Sequence, residues 1–189
     1  NSITLAERAI LSVLDSSKVD KEDIDGIVFV SDTPEYLFPS NAVYLSGLIG
    51  TKNAHVVYDM NANCIGMLAA LDTVTALMKS NKKLNKFIIV GAVQTSKIER
   101  KDCSIIHPNV SDASVAIILE KVIEDTPKGV INTHYYSDAS KKDLIKSINT
   151  TESDDENFED DVDIESGDNM GDETFSEDPQ MNEPIQECR

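Results

Sequence analysis

Apolar residues along this chain fall into blocks that alternate between the helical and the extended period. In "TLAERAILSVL", Ala6, Ile10, Val13 and Leu14 share one helical face, and Thr4 with Glu7 has capping-box spacing, which predicts an amphipathic helix. "GIVFVS", Gly26 to Ser31, is short, continuous and β-rich, so it predicts a buried strand, and the prolines of the following "DTPEYLFPS" forbid regular structure there. Ser40 is placed to cap a second helix, "NAVYLSGLI", and Gly50 to end it in a left-handed conformation. A strand, "HVVYDM", comes next. From Cys64 to about Ser80, the apolar residues Ile65, Met67, Leu68, Leu71, Val74, Leu77 and Met78 wrap most of a helix circumference, the pattern of a helix buried on all sides. "KFIIVGA", "SVAIILEKV" and "GVINTHYYS" predict three more strands, the last two separated by "IEDTPK". The order α, β, α, β, α, β, β, β predicts an α/β fold with a parallel or mixed sheet covered by helices on both faces.

The periodicity stops after about Asn149. Residues 150–189 hold 16 Asp and Glu against one basic residue, so this segment carries −15 of the total −17 and leaves the first 149 residues at −2. Low apolar content with like charge cannot offset the entropy of ordering, which predicts a disordered segment or one ordered only by a partner. The division expected is therefore a folded body, 1–149, and an acidic segment, 150–189. Neither has the clustered Lys and Arg that phosphate neutralisation needs, which argues against nucleic acid as a partner. No apolar run reaches the roughly 18 residues of a membrane span, and no basic-then-apolar leader opens the sequence, so the cytoplasm is the default expectation.

Three cysteines, Cys64, Cys103 and Cys188, lack paired spacing, which predicts free thiols and no zinc site or other bound metal. Cys64 lies in "DMNANCIGML", where an extended run turns into a helical one. The residues alone leave two readings, a small buried hydrophobe or a nucleophile. A helix N-terminus offers unpaired N–H groups and a positive dipole end, which favour a thiolate and could stabilise an oxyanion beside it. Gly66 would let a substrate or a neighbouring chain come close to the backbone. Cys103 has basic neighbours, Arg100 and Lys101, but no motif, so a structural role is expected; Cys188 is expected to be exposed.

The ordered set Thr33-Pro34, Phe38-Pro39-Ser40, Ile49-Gly50, and Asp59 with Cys64 and Gly66 resembles the N-terminal half of the thiolase-fold condensing enzymes, most closely β-ketoacyl-acyl-carrier-protein synthase III. The likeness runs from about residue 4 to 140, through "KFIIVGA" and "GVINTHYYSDAS". It implies an acyltransferase in fatty acid or polyketide synthesis. Cys64 would be acylated by an acyl-coenzyme A, and the acyl group condensed with a malonyl thioester on an acyl carrier protein. Coenzyme A enters as substrate, with no further cofactor. Phe38 matches a position that lines the partner's acyl pocket in a homodimer, against the plainer reading of a loop aromatic packed on its own domain. Gly66 and Asp112 are the other substrate-binding residues the resemblance implies.

The departures are equally specific. Where the family has "GDGAGA", this chain has Ser111-Asp112-Ala113-Ser114-Val115-Ala116, which adds bulk and implies an altered or partly filled pocket. The histidine and asparagine that assist decarboxylation lie in the family's C-terminal half, beyond this sequence, and His55, His107 and His134 match neither. His134 is expected to be structural, within a strand. The family's half-domain opens with a strand taken to lie near the sheet centre; its absence before Thr4 would leave a gap of unpaired backbone groups, so the sequence is expected to be a fragment or one half of a split enzyme. Acyl carrier proteins are typically acidic, so the −15 segment would repel one at low salt. The alternative function is a thiolase-like binding or assembly subunit that has lost condensation.

Overall fold

The first helix, α1 (Ser2–Ser17), begins one turn earlier than the Thr4–Glu7 spacing predicts, because Asn1 is the cap: its Oδ1 accepts from the Thr4 amide at 2.9 Å and from the Thr4 hydroxyl at 2.9 Å. Ile3, Ala6, Ile10 and Leu14 form its buried stripe. The strand β1 (Gly26–Val30) follows, buried at every residue. The second helix, α2 (Asn41–Ile49), has the predicted ends: Ser40 Oγ accepts from the Val43 amide at 3.4 Å, and Gly50 sits at φ 78°, where a side chain would strain. Then come β2 (Val56–Met60), α3 (Gly66–Ser80), β3 (Lys86–Val93) and β4 (Ala113–Glu120). This computed structural model describes residues 1–98, 107–123, 125 and 128–140, so the expectations for Cys103, for Cys188 and for the acidic segment lie outside the described residues. The chain divides into Asn1–Tyr136, which holds all seven of these elements, and Ser137–Arg189, where the Ser140 amide donates to Asp138 at 2.8 Å.

The sheet order is β2-β1-β3-β4, with β1 parallel to both β2 and β3, and β4 antiparallel to β3. Strand alternation sends Ile27, Phe29, Ile88 and Val90 to one face, where α1 and α2 cover them. Val28, Val30, Phe87 and Ile89 go to the other, under Ala70, Val74 and Met78 of α3. Each large side chain fully removed from water in these layers contributes about 1.5–3 kcal/mol. The mixed sheet with helices on both faces is therefore the observed architecture.

Two expectations are corrected, while the described sheet is continuous: β1 makes ladders on both sides, Val28 opposite Tyr58 and Ile89. The apolar residues of α3 do wrap the helix, but only the stripe Gly66, Ala70, Val74 and Met78 is buried, and Leu68 is 66% exposed. "GVINTHYYS" forms no strand. Its residues are irregular and, apart from the half-buried Val130, exposed, and its polar contacts go to α3: the Thr133 and Tyr135 hydroxyls donate to Asp72 at 3.0 and 3.2 Å, and Lys79 Nζ donates to the Val130 carbonyl at 3.2 Å. β-branched residues favour extension, but a strand also requires a ladder partner, and this segment has the side chains of a helix instead. His134, expected within that strand, lies on this exposed segment.

Candidate active site

The carboxyl ends of the parallel strands β1 and β3 point to the same side of the sheet, the side where open α/β sheets place ligands. Cys64 reaches that side from β2. After Met60 the chain passes Asn61 and Ala62 and enters a 3-10 turn, Asn63–Ile65, that runs directly into α3. Asn63 has φ 47°, a left-handed conformation that asparagine tolerates better than most side chains, and its amide donates to Asn61 Oδ1 at 3.0 Å. The Gly66 amide closes the turn on the Asn63 carbonyl. The N-cap residues of the turn and of α3, Ala62 and Ile65, make no side-chain cap bond, and the Asn61 side chain holds the first amide of the turn instead. Cys64 is exposed, which excludes the reading of a buried filler.

The cysteine borders a cavity of about 460 Å³. Met67, Gly91, Ala113, Ser114 and Val115 give it apolar and small-residue walls, and Ser31, Asp32, Asn63, Thr95 and Ser111 surround them with polar groups. The serine-containing turn that departs from the glycine pattern therefore does border the cavity, through Ser111, Ala113 and Ser114. Ser114 Oγ is turned onto the Gly91 carbonyl at 2.9 Å. No histidine lines this cavity among the described residues.

Asp112 has a different place from the one expected. Its carboxylate accepts from the Ser96 amide at 3.0 Å and the Ser96 hydroxyl at 2.7 Å, and these bonds hold its carboxyl below the usual carboxylate range. Thr95 Oγ1 donates to the Ser111 carbonyl at 3.0 Å, so Asp112 fastens the turn after β3 to the segment before β4. Its chain neighbours Ser111 and Ala113 line the cavity, and Asp112 itself serves as a clasp between two loops. Gly66 is also reassigned. It is buried, and a Cβ there would lie 2.6 Å from Val30 Cγ1, so the chain that approaches it is the protein's own β1. Phe38 is 91% exposed beside Leu37 at 92%, and it does not line the cavity, so it is not packed on its own domain.

Asp59, read in the sequence only as the first letter of a motif, organises the loop that carries Phe38. Its Oδ1 accepts from the Ala42 amide at 2.7 Å, and its Oδ2 from the Asn41 amide at 2.7 Å and Asn41 Nδ2 at 2.9 Å. The fully buried Asn41 in turn pairs with both backbone groups of Tyr36, at 3.1 and 2.8 Å. A carboxylate at the start of α2 is electrostatically favoured there. Asn61 was also missed, although an asparagine two residues before another backbone amide is an Asx-turn signature. A second, smaller cavity, about 260 Å³, lies between α3 and the 130–136 segment and includes Ile65, Leu68 and His134. Among the described residues no helix is long and apolar enough to cross a membrane, and no three His, Cys, Asp or Glu are grouped to hold a metal.

Comparison with known proteins adds a family. Residues 58–139 match the family described as 3-Oxoacyl-[acyl-carrier-protein (ACP)] synthase III. The chain is 32% identical over 132 residues to the beta-ketoacyl-[acyl-carrier-protein] synthase III of Chlorobium phaeobacteroides, an overlap of 69% of this chain and 39% of that protein. The corresponding synthase III structure from Thermus thermophilus superposes with a TM-score of 0.61 at 28% identity, covering 66% of this chain and 38% of that one. That from Aquifex aeolicus superposes at 0.62 with 22% identity, covering 66% and 40%, and speaks for the fold alone. The chain thus spans about two fifths of the length of the relatives it matches.

Proposed function

Because this chain carries the N-terminal half of a thiolase-fold condensing enzyme of the synthase III type, we propose that it supplies the acyl-accepting cysteine of such an acyltransferase. The observation that carries this reading is an exposed Cys64 in the turn that leads into α3, at the edge of a cavity with apolar and polar walls. The Cys64 thiolate attacks the carbonyl carbon of an acyl-coenzyme A; the new carbon–sulfur bond forms as the old one breaks, and coenzyme A leaves as a thiolate that takes up a proton. The positive end of the α3 dipole would favour the negative charge that develops on the carbonyl oxygen. A malonyl thioester on a carrier protein then loses carbon dioxide, its carbanion attacks the acyl-cysteine, and the Cys64 thiolate is released. The partners implied are acyl-coenzyme A, an acyl carrier protein and a second copy of the chain, whose pocket the exposed Phe38 would line.

Incubating the full polypeptide with an acyl-coenzyme A and measuring its intact mass tests the first step. A single acyl adduct that disappears in Cys64→Ala supports it; no adduct, or one that survives the substitution, refutes it. The Ser111–Ala116 turn, which lines the cavity with Ser111, Ala113 and Val115 where the family has glycines, favours a second reading, an acyl-binding or assembly subunit that works beside a catalytic synthase. Co-purification separates the two: a stable hetero-complex supports the second, and a symmetric homodimer that condenses on its own supports the first.

A further inference from the structure

We infer that Met67 sets the depth of the apolar arm of the Cys64 cavity, and so the size of the group that Cys64 can carry. The inference rests on the reading of Cys64 as the acyl-accepting residue. Cys64 and Met67 are three residues apart across the 3-10 turn and the first turn of α3, and positions so spaced lie one above the other on the same face. Both line the cavity, so a chain carried on the Cys64 sulfur shares that space with the Met67 side chain.

Met67 is held there by the sheet. A Cβ placed on Gly91 of β3 would meet Met67 Sδ at 2.8 Å and Cγ at 3.2 Å, so the thioether lies in the space that a glycine leaves open. Val115 of β4 approaches the same point, its Cγ1 3.8 Å from that Cβ position. Gly91 and Val115 face each other in the β3–β4 ladder, so Met67 lies over a floor made by one strand pair. Methionine is unbranched and adapts its shape, which allows it to close a cavity without fixing a rigid wall. Shortening Met67 deepens the arm; filling Gly91 displaces the thioether and makes the arm shallower.

The test uses the thiol chemistry of Cys64 and needs no acyl transfer. Methyl and n-octyl methanethiosulfonate each deliver their thioalkyl group to a thiolate: the new S–S bond forms, the reagent's S–SO2 bond breaks, and methanesulfinate leaves with the electron pair. The rates are read on the Cys64-bearing peptide of the full polypeptide by mass spectrometry, as the octyl-to-methyl ratio. Met67→Ala should raise that ratio by about tenfold or more, the scale on which an apolar pocket senses a few methylenes. Met67→Leu, of similar volume, should leave it within about twofold of the starting value. Gly91→Ala should lower it. Ratios in Met67→Ala and Gly91→Ala that both stay at the unsubstituted value overturn the inference, and if Met67→Ala does not fold, the direction of Gly91→Ala against Met67→Leu decides. Acyl-coenzyme A incubation of the same proteins separates the two claims: a missing acyl adduct with shifted alkyl ratios removes the acyltransferase reading and keeps the gate, and the reverse removes the gate alone.

Discussion

Replacing Gly66 by alanine tests whether the cysteine turn is pressed onto β1. Two substitutions with the same chemistry meet opposite surroundings. At Gly47, an exposed position within α2, nothing lies within 4 Å of an added Cβ, so Gly47→Ala should stabilise by the ordinary helix preference, about 0.5–1 kcal/mol. At Gly66 the Cβ would lie 2.6 Å from Val30 Cγ1, a carbon separation far inside van der Waals contact, and Val30 is 6% exposed with the β1 backbone behind it. The start of α3 or the strand has to give way, at the usual overpacking cost of about 1–3 kcal/mol, against which helix preference recovers less than one. Urea unfolding followed by circular dichroism reads both variants. Gly66→Ala should unfold at lower urea and melt some 2–8 °C lower, taking about 2–4 °C per kcal/mol for a chain of this size. In a Val30→Ala background the cost of Gly66→Ala should fall by about 1 kcal/mol or more, because the opposing methyl is gone. A Gly66→Ala protein as stable as Gly47→Ala, or a cost unchanged in the Val30→Ala background, would refute the packing argument.

Further outcomes follow from individual contacts. Asp59→Ala removes the acceptor for three donors, two of them on the buried Asn41, and should destabilise by about 2–4 kcal/mol in chemical denaturation. The same variant should speed proteolysis within the 32–40 loop, since Asn41 no longer fixes Tyr36. Gly50→Ala places a Cβ at φ 78° and should cost about 1 kcal/mol by the same assay. The Asp112 clasp predicts a pH response of definite sign. Its carboxyl is held down by the Ser96 bonds, so its contribution is present above the ordinary carboxylate range, persists somewhat below it, and is lost as pH falls through the lowered value. Hydrogen exchange at the Ser96 amide, corrected for its intrinsic pH dependence, should keep its protection factor between neutral pH and about pH 4 and lose it below, and Asp112→Asn should abolish that step.

Which features were legible in the sequence follows from how local their causes are. The ends of α2 could be read because Ser40 and Gly50 act on their own helix, and β1, β2 and β3 because continuous apolar runs between turn residues have few other uses. α1 began early because Asn1 competes with Thr4 for the capping role, a choice that capping-box spacing does not decide. "GVINTHYYS" was misread because a strand is a property of two segments, and the contacts that hold this one come from Asp72 and Lys79 of α3. The pairing of β1 with β3 was not legible, because α2, β2 and α3 separate the two strands in the chain. At the site, Cys64 and its place before α3 were visible. The duties of Asp112, Gly66 and Asp59 were not, since each depends on a partner many residues away: Ser96, Val30 and Asn41. Met67 was counted as core. Its position three residues after Cys64 was the available signal, and only the contact with Gly91 gives that spacing a meaning.

The most direct test is to locate the acyl group. The full polypeptide is incubated with acetyl-coenzyme A, quenched in acid and digested, and the peptides carrying Cys64, Cys103 and Cys188 are compared by tandem mass spectrometry. The account predicts a thioester on Cys64, formed as free coenzyme A appears in equal amount and discharged by hydroxylamine. Acetyl groups spread over all three thiols, or a Cys64 peptide that stays unmodified while coenzyme A is released, would contradict it.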